Sequence, residues 1–456
     1  MTKRREFIKK SIMGTAGLTI GGMGFSAKSY GSIMGANDRL TLAVIGIRGR
    51  GGDHIASWCA LAESRNLRLK TLCDVDEQFF PERSKYVSDK LGVKPLNEWD
   101  MRRVFDDNEI NAVSIATPNH WHALATVRAC QAGKHVYVEK PASHNIFEGR
   151  KMIEASRKYN VRVQTGFQNR SIANVMEAMR FLHDGGIGTV YMAKGMCYKP
   201  RDSFGIAKDS TPPASLHYDM WLGPAPYRAY NEKHVHYNWH WFWATGNGDT
   251  GNQGPHQFDI ARWGLNKNEH PVSVYSTGGI YGISPDECEQ ETPNTQSSVF
   301  KYKDGKMLEF ETRGRYTNAE SSLDIRIGNI FYGTDGYLEL NEGTWKAFRK
   351  REQEPFAGSD QAAKAETGSK YLAAPGGTEH YANFIDAIRE GSNDALHCDI
   401  IEGFFSSCLP HLANISYRLG RGLNFMGEYE KFADDPEADE MLSRAYRLPY
   451  VVPEEV

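Results

Sequence analysis

Three groups of residues in this chain have the types and spacing that chemistry needs. The first is Gly46, Gly49 and Gly51, interleaved with Arg48 and Arg50, directly after the apolar run Leu40 to Ile45 and before a helix-like stretch from Asp53 to Ala62. Strand, glycine turn and helix is the order in which a helix amino end meets a pyrophosphate, although the spacing is not G-x-G-x-x-G. The next apolar run, Leu67 to Cys73, stops at Asp74. An acid there accepts from a ribose 2′-hydroxyl and repels a 2′-phosphate, which favours NAD over NADP; Arg48 and Arg50 weigh the other way and keep NADP as the alternative. The second group is Glu139-Lys140-Pro141, where the run Val136-Tyr137-Val138 is cut short. Proline cannot donate to a strand ladder, so two charges are left at the carboxyl edge of a strand, where open α/β sheets bind ligands. An amine partly desolvated there has a lowered pKa and can both stabilise an alkoxide and move its proton. The third group begins at Pro255-His256. Proline suits the first position of a helix, so His256 falls in the first turn, where the helix dipole disfavours imidazolium and leaves a neutral proton acceptor. Asp259 and Trp263 follow at i+3 and i+7 on the same face, as packing or as site residues.

Alternating strands and helices must position these groups. Beyond the glycine turn, a helix is predicted over 81–91, a strand over 112–116, a helix over 123–132, the Val136 to Val138 strand and a helix over 146–159. That rhythm predicts a doubly wound parallel sheet over residues 38–165. From 166 to 456 the pattern changes. A helix over 172–184 ends at Gly185-Gly186, and strand-like runs follow at 190–198, 272–277, 297–302, 306–312, 321–328 and 337–340. Asp304-Gly305 and Asp335-Gly336 supply turns between neighbours, so this half is read as an α/β domain with an open, mostly antiparallel sheet. Residues 350–378 read as a mobile surface loop, 379–390 and 400–419 as helices, and the last residues as a polar tail.

At 456 residues there is room for two or three domains, and a 40% hydrophobic, 24% charged chain of net charge -3 argues for no nucleic-acid partner. The seven cysteines are scattered without a C-x-x-C pair, which predicts buried free thiols rather than zinc or disulfides. Residues 1–36 read as a leader: Lys3-Arg4-Arg5 followed by a short apolar stretch from Ile12 to Phe25 looks like a twin-arginine export signal, too short to span a bilayer. The expectation is therefore a periplasmic or otherwise exported protein with no stable membrane insertion. The run Trp239, Trp241, Phe242, Trp243 offers rings for sugar faces, with Trp241 carried forward as a candidate, although clustered aromatics are more often core. His234, His236 and His240 lack carboxylates or cysteines at ligand spacing, so no metal is expected. Arg170, Tyr198 and Tyr218 are candidate hydroxyl binders.

Together with Ala116-Thr-Pro-Asn-His-Trp-His122, Gly166-Phe-Gln168 and Gly254 to Trp263, these motifs resemble, in type, order and spacing, the Gfo/Idh/MocA oxidoreductases. The exported branch looks most similar, through Trp221 to Pro226 and Asn238 to Trp243. The resemblance implies a Rossmann domain followed by the α/β domain, a nicotinamide cofactor, a sugar or polyol substrate between the domains, and a dimer or tetramer. It also implies that Thr117, Asn119, His122, Glu139 and Gln168 join the glycines and Asp74 around the cofactor, with Lys140 beside the nicotinamide. His256 corresponds to the histidine of an Asp-x-x-x-His pair whose aspartate is here Asn252. An amide can hold an imidazole but cannot stabilise its cation. Either Asp249 or Asp259 replaces the charge, or Lys140 dominates proton transfer, or the chain binds without turnover. Three functions follow: an NAD-dependent oxidoreductase for a sugar, glycoside or cyclitol hydroxyl; an NAD-dependent glycoside hydrolase using transient oxidation and elimination; and a non-catalytic sugar-binding descendant.

Overall fold

In the strand β1 (Leu40–Ile45), Leu42 and Val44 point into one apolar cluster and Ala43 and Ile45 into another, so the strand is covered on both faces. That is the burial a central parallel strand requires, and it explains a continuous apolar run rather than an alternating one. The computed structural model describes residues 38–341, 343–359 and 377–456. The leader reading and the middle of the 350–378 loop lie outside those residues.

The chain runs β1, α1 (Gly49–Leu61), β2 (Leu67–Cys73), α2 (Phe80–Leu91), β3 (Leu96–Glu98), α3 (Met101–Asp106), β4 (Ala112–Ile115), α4 (His122–Gln131), β5 (His135–Val138), α5 (Ile146–Lys158) and β6 (Val163–Thr165). The six strands are all parallel, in the order β3-β2-β1-β4-β5-β6. The order reverses between β1 and β4, which is where a doubly wound sheet opens its ligand crevice. Then come α6 (Ala173–His183), β7 (Val190–Cys197), α7 (Tyr218–Leu222), α8 (Gly248–Asn252), α9 (Gly254–Gly264), β8 (Ser273–Gly279), β9 (Thr295–Lys301), β10 (Met307–Arg313), β11 (Ile327–Gly333), β12 (Gly336–Leu340), β13 (Trp345–Arg349) and β14 (Ala357–Gly358). The chain closes with α10 (Glu379–Glu390), α11 (Ile400–Leu419), β15 (Leu423–Met426), β16 (Lys431–Phe432) and α12 (Pro436–Asp439). The second sheet has ten strands in the order β14-β13-β12-β11-β7-β10-β9-β8-β15-β16, antiparallel except where β7 meets β10. The α/β class with one parallel and one mostly antiparallel sheet is as the strand patterns predict.

The two halves are not separate cores. Helix α10, from the carboxyl half, lays Tyr381, Phe384 and Ile385 over the first sheet beside Trp58 and Tyr137. Tyr137 and Tyr381 stack at 4.7 Å, and Trp58 meets Tyr381 edge-on at 5.0 Å, contacts worth about 0.5–1.5 kcal/mol each beyond the area they bury. All seven cysteines are free and buried. Among the described residues no helix is long and apolar enough to cross a membrane.

Several local expectations are corrected. The run 321–328 is not a strand throughout: Ser321 and Asp324 take positive φ (69° and 49°) in a turn closed by Glu320 and Ile325, and β11 begins only at Ile327. A helix over Met101–Asp106, for which the sequence pattern predicts no element, forms because Asp100 caps it, accepting from the Arg102 N–H at 2.9 Å. Part of the 350–378 loop is ordered as β14, paired to β13. The polar tail is docked as well: Tyr450 is buried with its ring against Trp121.

Candidate active site

A cleft opens at the carboxyl ends of β1, β4 and β5, walled on the far side by the segment around Trp239. Its floor begins at Gly46, whose φ of +81° only glycine adopts freely and whose side a Cβ would drive to 2.8 Å from the Ala116 carbonyl. Gly51 does not line the cleft. A Cβ there would stand 1.8 Å from the Gly46 oxygen, so Gly51 lets α1 close onto the turn. Gly49 faces open space at the amino end of α1, where Arg48 offers no side-chain cap and the first-turn N–H groups remain available. Asp74 accepts from the Ile47 N–H at 2.8 Å and the Asp76 N–H at 2.9 Å, pinning the glycine turn from β2. Burial pushes its carboxyl up to about 6 against those two hydrogen bonds. Thr117 and His122 line the cleft from the β4 side. The Thr117 hydroxyl is buried with no hydrogen-bond partner among the described residues, and the His122 ring is held between the carbonyls of Pro141 (2.7 Å) and Thr117 (2.9 Å).

Glu139, at the end of β5, gathers donors from four places. Arg50 reaches it at 2.9 Å, His54 at 3.1 Å, Gln168 at 2.8 Å and the Lys140 N–H at 3.2 Å. Burial alone would raise this carboxyl, but the Arg50 charge, then His54 and Lys140, hold it well below the usual range. Lys140 follows, half-buried, its amine donating to the Asn252 carbonyl at 2.7 Å with the Asn252 side-chain oxygen at 3.5 Å. Burial lowers its pKa to about 8; Glu139 resists this, while Arg50 and Lys199 add to it. Asn252 therefore turns its oxygens toward Lys140, and no hydrogen bond joins it to His256 among the described residues. The His256 Nδ1 is buried and unpartnered, and burial followed by the Lys140 charge keeps the ring well below its ordinary pKa.

Other expectations change on the folded chain. Asn119 is buried and donates to Asn247 at 2.7 Å, and Gln168 is buried on Tyr137 and Glu139, so these amides support the cleft wall rather than line it. Arg170 and Asp259 are spent on one another, at 2.8 Å, with Glu402 and Ser406 completing the cluster. Tyr198 donates to Glu311 on β10 and to Glu320 in the turn that follows it, under the Arg313 guanidinium. Tyr218 donates to the carbonyls of Arg228 and Ala229. Trp241 is buried beneath Arg201, and it is its neighbours Trp239 and His240 that face the cleft. Asp249 is held by Arg201 at 2.9 and 3.0 Å. Neither aspartate is free to replace the carboxylate that Asn252 lacks. His234 and His236 turn to Glu289 and Asp76, and no group of three His, Cys, Asp or Glu converges as metal ligands among the described residues. Lys199, which donates to Gln253 at 2.7 Å, has no motif around it to single it out in the sequence.

Residues 40–167 match the family model described as oxidoreductase family, NAD-binding Rossmann fold, and residues 202–335 and 362–452 match its companion, oxidoreductase family, C-terminal alpha/beta domain. The chain belongs to the Gfo/Idh/MocA oxidoreductase family. Levoglucosan dehydrogenase of Pseudarthrobacter phenanthrenivorans is 35% identical over 96 residues, 21% of this chain and 25% of that protein. A glycosyl hydrolase family 109 protein of Shewanella pealeana is 24% identical over 171 residues, 34% of this chain and 37% of that protein. The matched segments thus span well under half the length of these relatives. Levoglucosan dehydrogenase in complex with NADH and levoglucosan shares the fold at a TM-score of 0.64, with 18% identity over 85% of this chain and 99% of that one. For a Gfo/Idh/MocA protein the cofactor is NAD, and the cleft suits it: open space at Gly49, unspent N–H groups at the start of α1, the unpartnered Thr117 hydroxyl and the Asp74 carboxylate are the groups a dinucleotide needs.

Proposed function

We propose that this protein is an NAD-dependent oxidoreductase that oxidises a hydroxyl carbon of a sugar, glycoside or cyclitol, with Lys140 as the principal proton-transfer group. The observation that carries the proposal is the Lys140 amine. It sits half-buried on the cleft floor, held by the Asn252 carbonyl, and titrates near about 8. Bound NAD supplies the hydride acceptor. Lys140 in its neutral form takes the hydroxyl proton, and the resulting ammonium stabilises the oxygen as negative charge develops on it. His256, kept neutral by burial and the Lys140 charge but not among the residues that line the cleft, is the second proton-transfer group of the proposal, Asn252 orienting the lysine rather than the histidine. Asp249 and Asp259 are each paired with an arginine, so the larger share of proton transfer falls to Lys140.

The matches to glycosyl hydrolase family 109 proteins favour a second reading, in which the same oxidation is transient and a glycosidic bond is broken before the cofactor is restored. The two readings separate in one assay of the purified protein with NAD and methyl glycosides. Accumulating NADH with a ketosugar supports the first. Free reducing sugar with no net change in cofactor supports the second. Failure to bind NAD overturns both, and sugar binding without any turnover points to a sugar-binding descendant.

Export through the twin-arginine leader and assembly as a dimer or tetramer complete the proposal. Arg4→Lys together with Arg5→Lys is expected to retain the protein in the cytoplasm; unchanged export of the double variant, followed by cell fractionation, would refute that part. A monomeric mass in solution by light scattering would refute the assembly.

A further inference from the structure

The segment that walls the cleft opposite Lys140 carries a side chain with no assigned role. His240 lines the cleft together with Lys140 and Asn252. Its Nδ1 lies 2.6 Å from the Tyr237 carbonyl oxygen. A carbonyl only accepts, so Nδ1 must carry the hydrogen, and in the neutral ring the lone pair is then on Nε2. The ring is stacked on Trp239 with centroids 3.6 Å apart and planes 21° apart, so its direction is set on one face as well as at Nδ1. Among the described residues Nε2 has no hydrogen-bond partner, whereas His234 and His236 each give Nε2 to a carboxylate.

We infer that His240 is a specificity-determining residue of the sugar site: its Nε2 accepts a hydrogen bond from a second hydroxyl of the substrate, beside the hydroxyl whose proton Lys140 takes. This rests on the sugar-oxidising reading above, and it narrows the substrate to a compound with at least two hydroxyls within reach of the same cleft. Burial pushes the ring down to about 3 although the Tyr237 carbonyl favours the charged form, and the cations Lys140 and Arg201 push it further the same way. Such a ring is too weak a base to compete with Lys140 for the reacting proton. It is well suited to remain a neutral acceptor at every pH at which the enzyme works. Lys140 takes the proton of one hydroxyl while His240 only accepts a hydrogen bond from the other, so the two ends of a diol meet different partners, which fixes the orientation of the sugar ring. Nε2 is open to the cleft, and an acceptor that the bound sugar shuts off from water and leaves without its hydroxyl is what lets a site reject a deoxy analogue.

The test uses the full-length protein with NAD, the methyl glycoside oxidised fastest and its monodeoxy analogues, each lacking one hydroxyl. His240→Asn retains an amide N–H for the Tyr237 carbonyl and removes Nε2. His240→Gln returns an amide oxygen near the Nε2 position. The expected result is a fall of about a hundredfold in kcat/KM for His240→Asn on the parent glycoside, with partial recovery in His240→Gln and NAD affinity unchanged in both. On one analogue, lacking a hydroxyl other than the oxidised one, wild type and His240→Asn are expected to be equal, because the pair is already broken. An equal loss on every analogue, or no loss on the parent, overturns the inference while leaving the oxidoreductase reading in place. A wild-type protein that neither binds nor oxidises any glycoside overturns that reading and this inference with it.

Discussion

Lys140→Ala is expected to lower kcat for sugar oxidation by about a thousandfold while leaving NAD affinity within about twofold. Removing the amine takes away the group that accepts the hydroxyl proton and the cation that stabilises the oxygen in the transition state, and Asp249, Asp259 and Asn252 leave no carboxylate to take over either task. The glycine turn, Asp74 and the amino end of α1 do not depend on it, so the cofactor remains bound. Lys140→Arg separates the two roles. Its guanidinium keeps the charge but cannot act as a base at neutral pH, so it should recover little of the rate. In the wild type, oxidation needs the neutral amine. The rate is therefore expected to climb by about tenfold per pH unit below the Lys140 pKa of about 8 and to level off above it. Burial is the main cause of this midpoint, and the charges of Glu139, Arg50, Lys199 and Asp249 adjust it. Lys199→Met removes a neighbouring cation and should move the midpoint upward. Stopped-flow NADH formation across the pH range measures all of this. Undiminished turnover in Lys140→Ala, or a pH-independent rate, would remove Lys140 from the chemistry.

The second large effect is structural. Arg170→Ala is expected to destabilise the protein by about 3–5 kcal/mol and, in the molecules that remain folded, to leave KM for the sugar within about twofold. The side chain of Arg170 is 8% exposed and that of Asp259 is 1% exposed; burial would lower the guanidinium pKa, but Asp259 outweighs it and holds Arg170 charged. The pair joins the segment after β6 to α9, and Glu402 and Arg262 extend it to α11. Loss of the arginine leaves a buried carboxylate with Ser406 at 2.7 Å and Arg262 at 3.8 Å as its remaining partners. Denaturant unfolding followed by tryptophan fluorescence measures the loss. If stability is unchanged and KM rises, Arg170 contacts substrate after all, as its neighbourhood in the sequence suggested.

These cases show where the sequence is informative and where it is not. The strand and helix periods, the glycines around Gly46, the acid at Asp74 and the stop at Pro141 all act through neighbours within a few residues, and the first sheet follows them closely. The turn at Ser321 and Asp324 was less legible, because both residues also fit a strand pattern until their positive φ is seen. Helix α10 reads as a helix in its own right, but nothing local announces that it covers a sheet begun more than three hundred residues earlier.

By itself the sequence determined the class of fold, the place of the cofactor turn and Lys140 at a strand edge, because each is a short-range consequence of residue type. Only the tertiary structure decided which polar groups remain available. The partners of Lys140 and Arg170 are 112 and 89 positions away, and a buried charge chooses whichever partner the packing brings within about 3 Å. For that reason Arg170, Asp259, Asn119 and Gln168 became supports, while His240, weighed in the sequence only as a metal ligand and set aside, kept an unspent nitrogen on the cleft. Spacing along a chain sets direction within one element. Which side chains are left over is settled only when all the elements have paired.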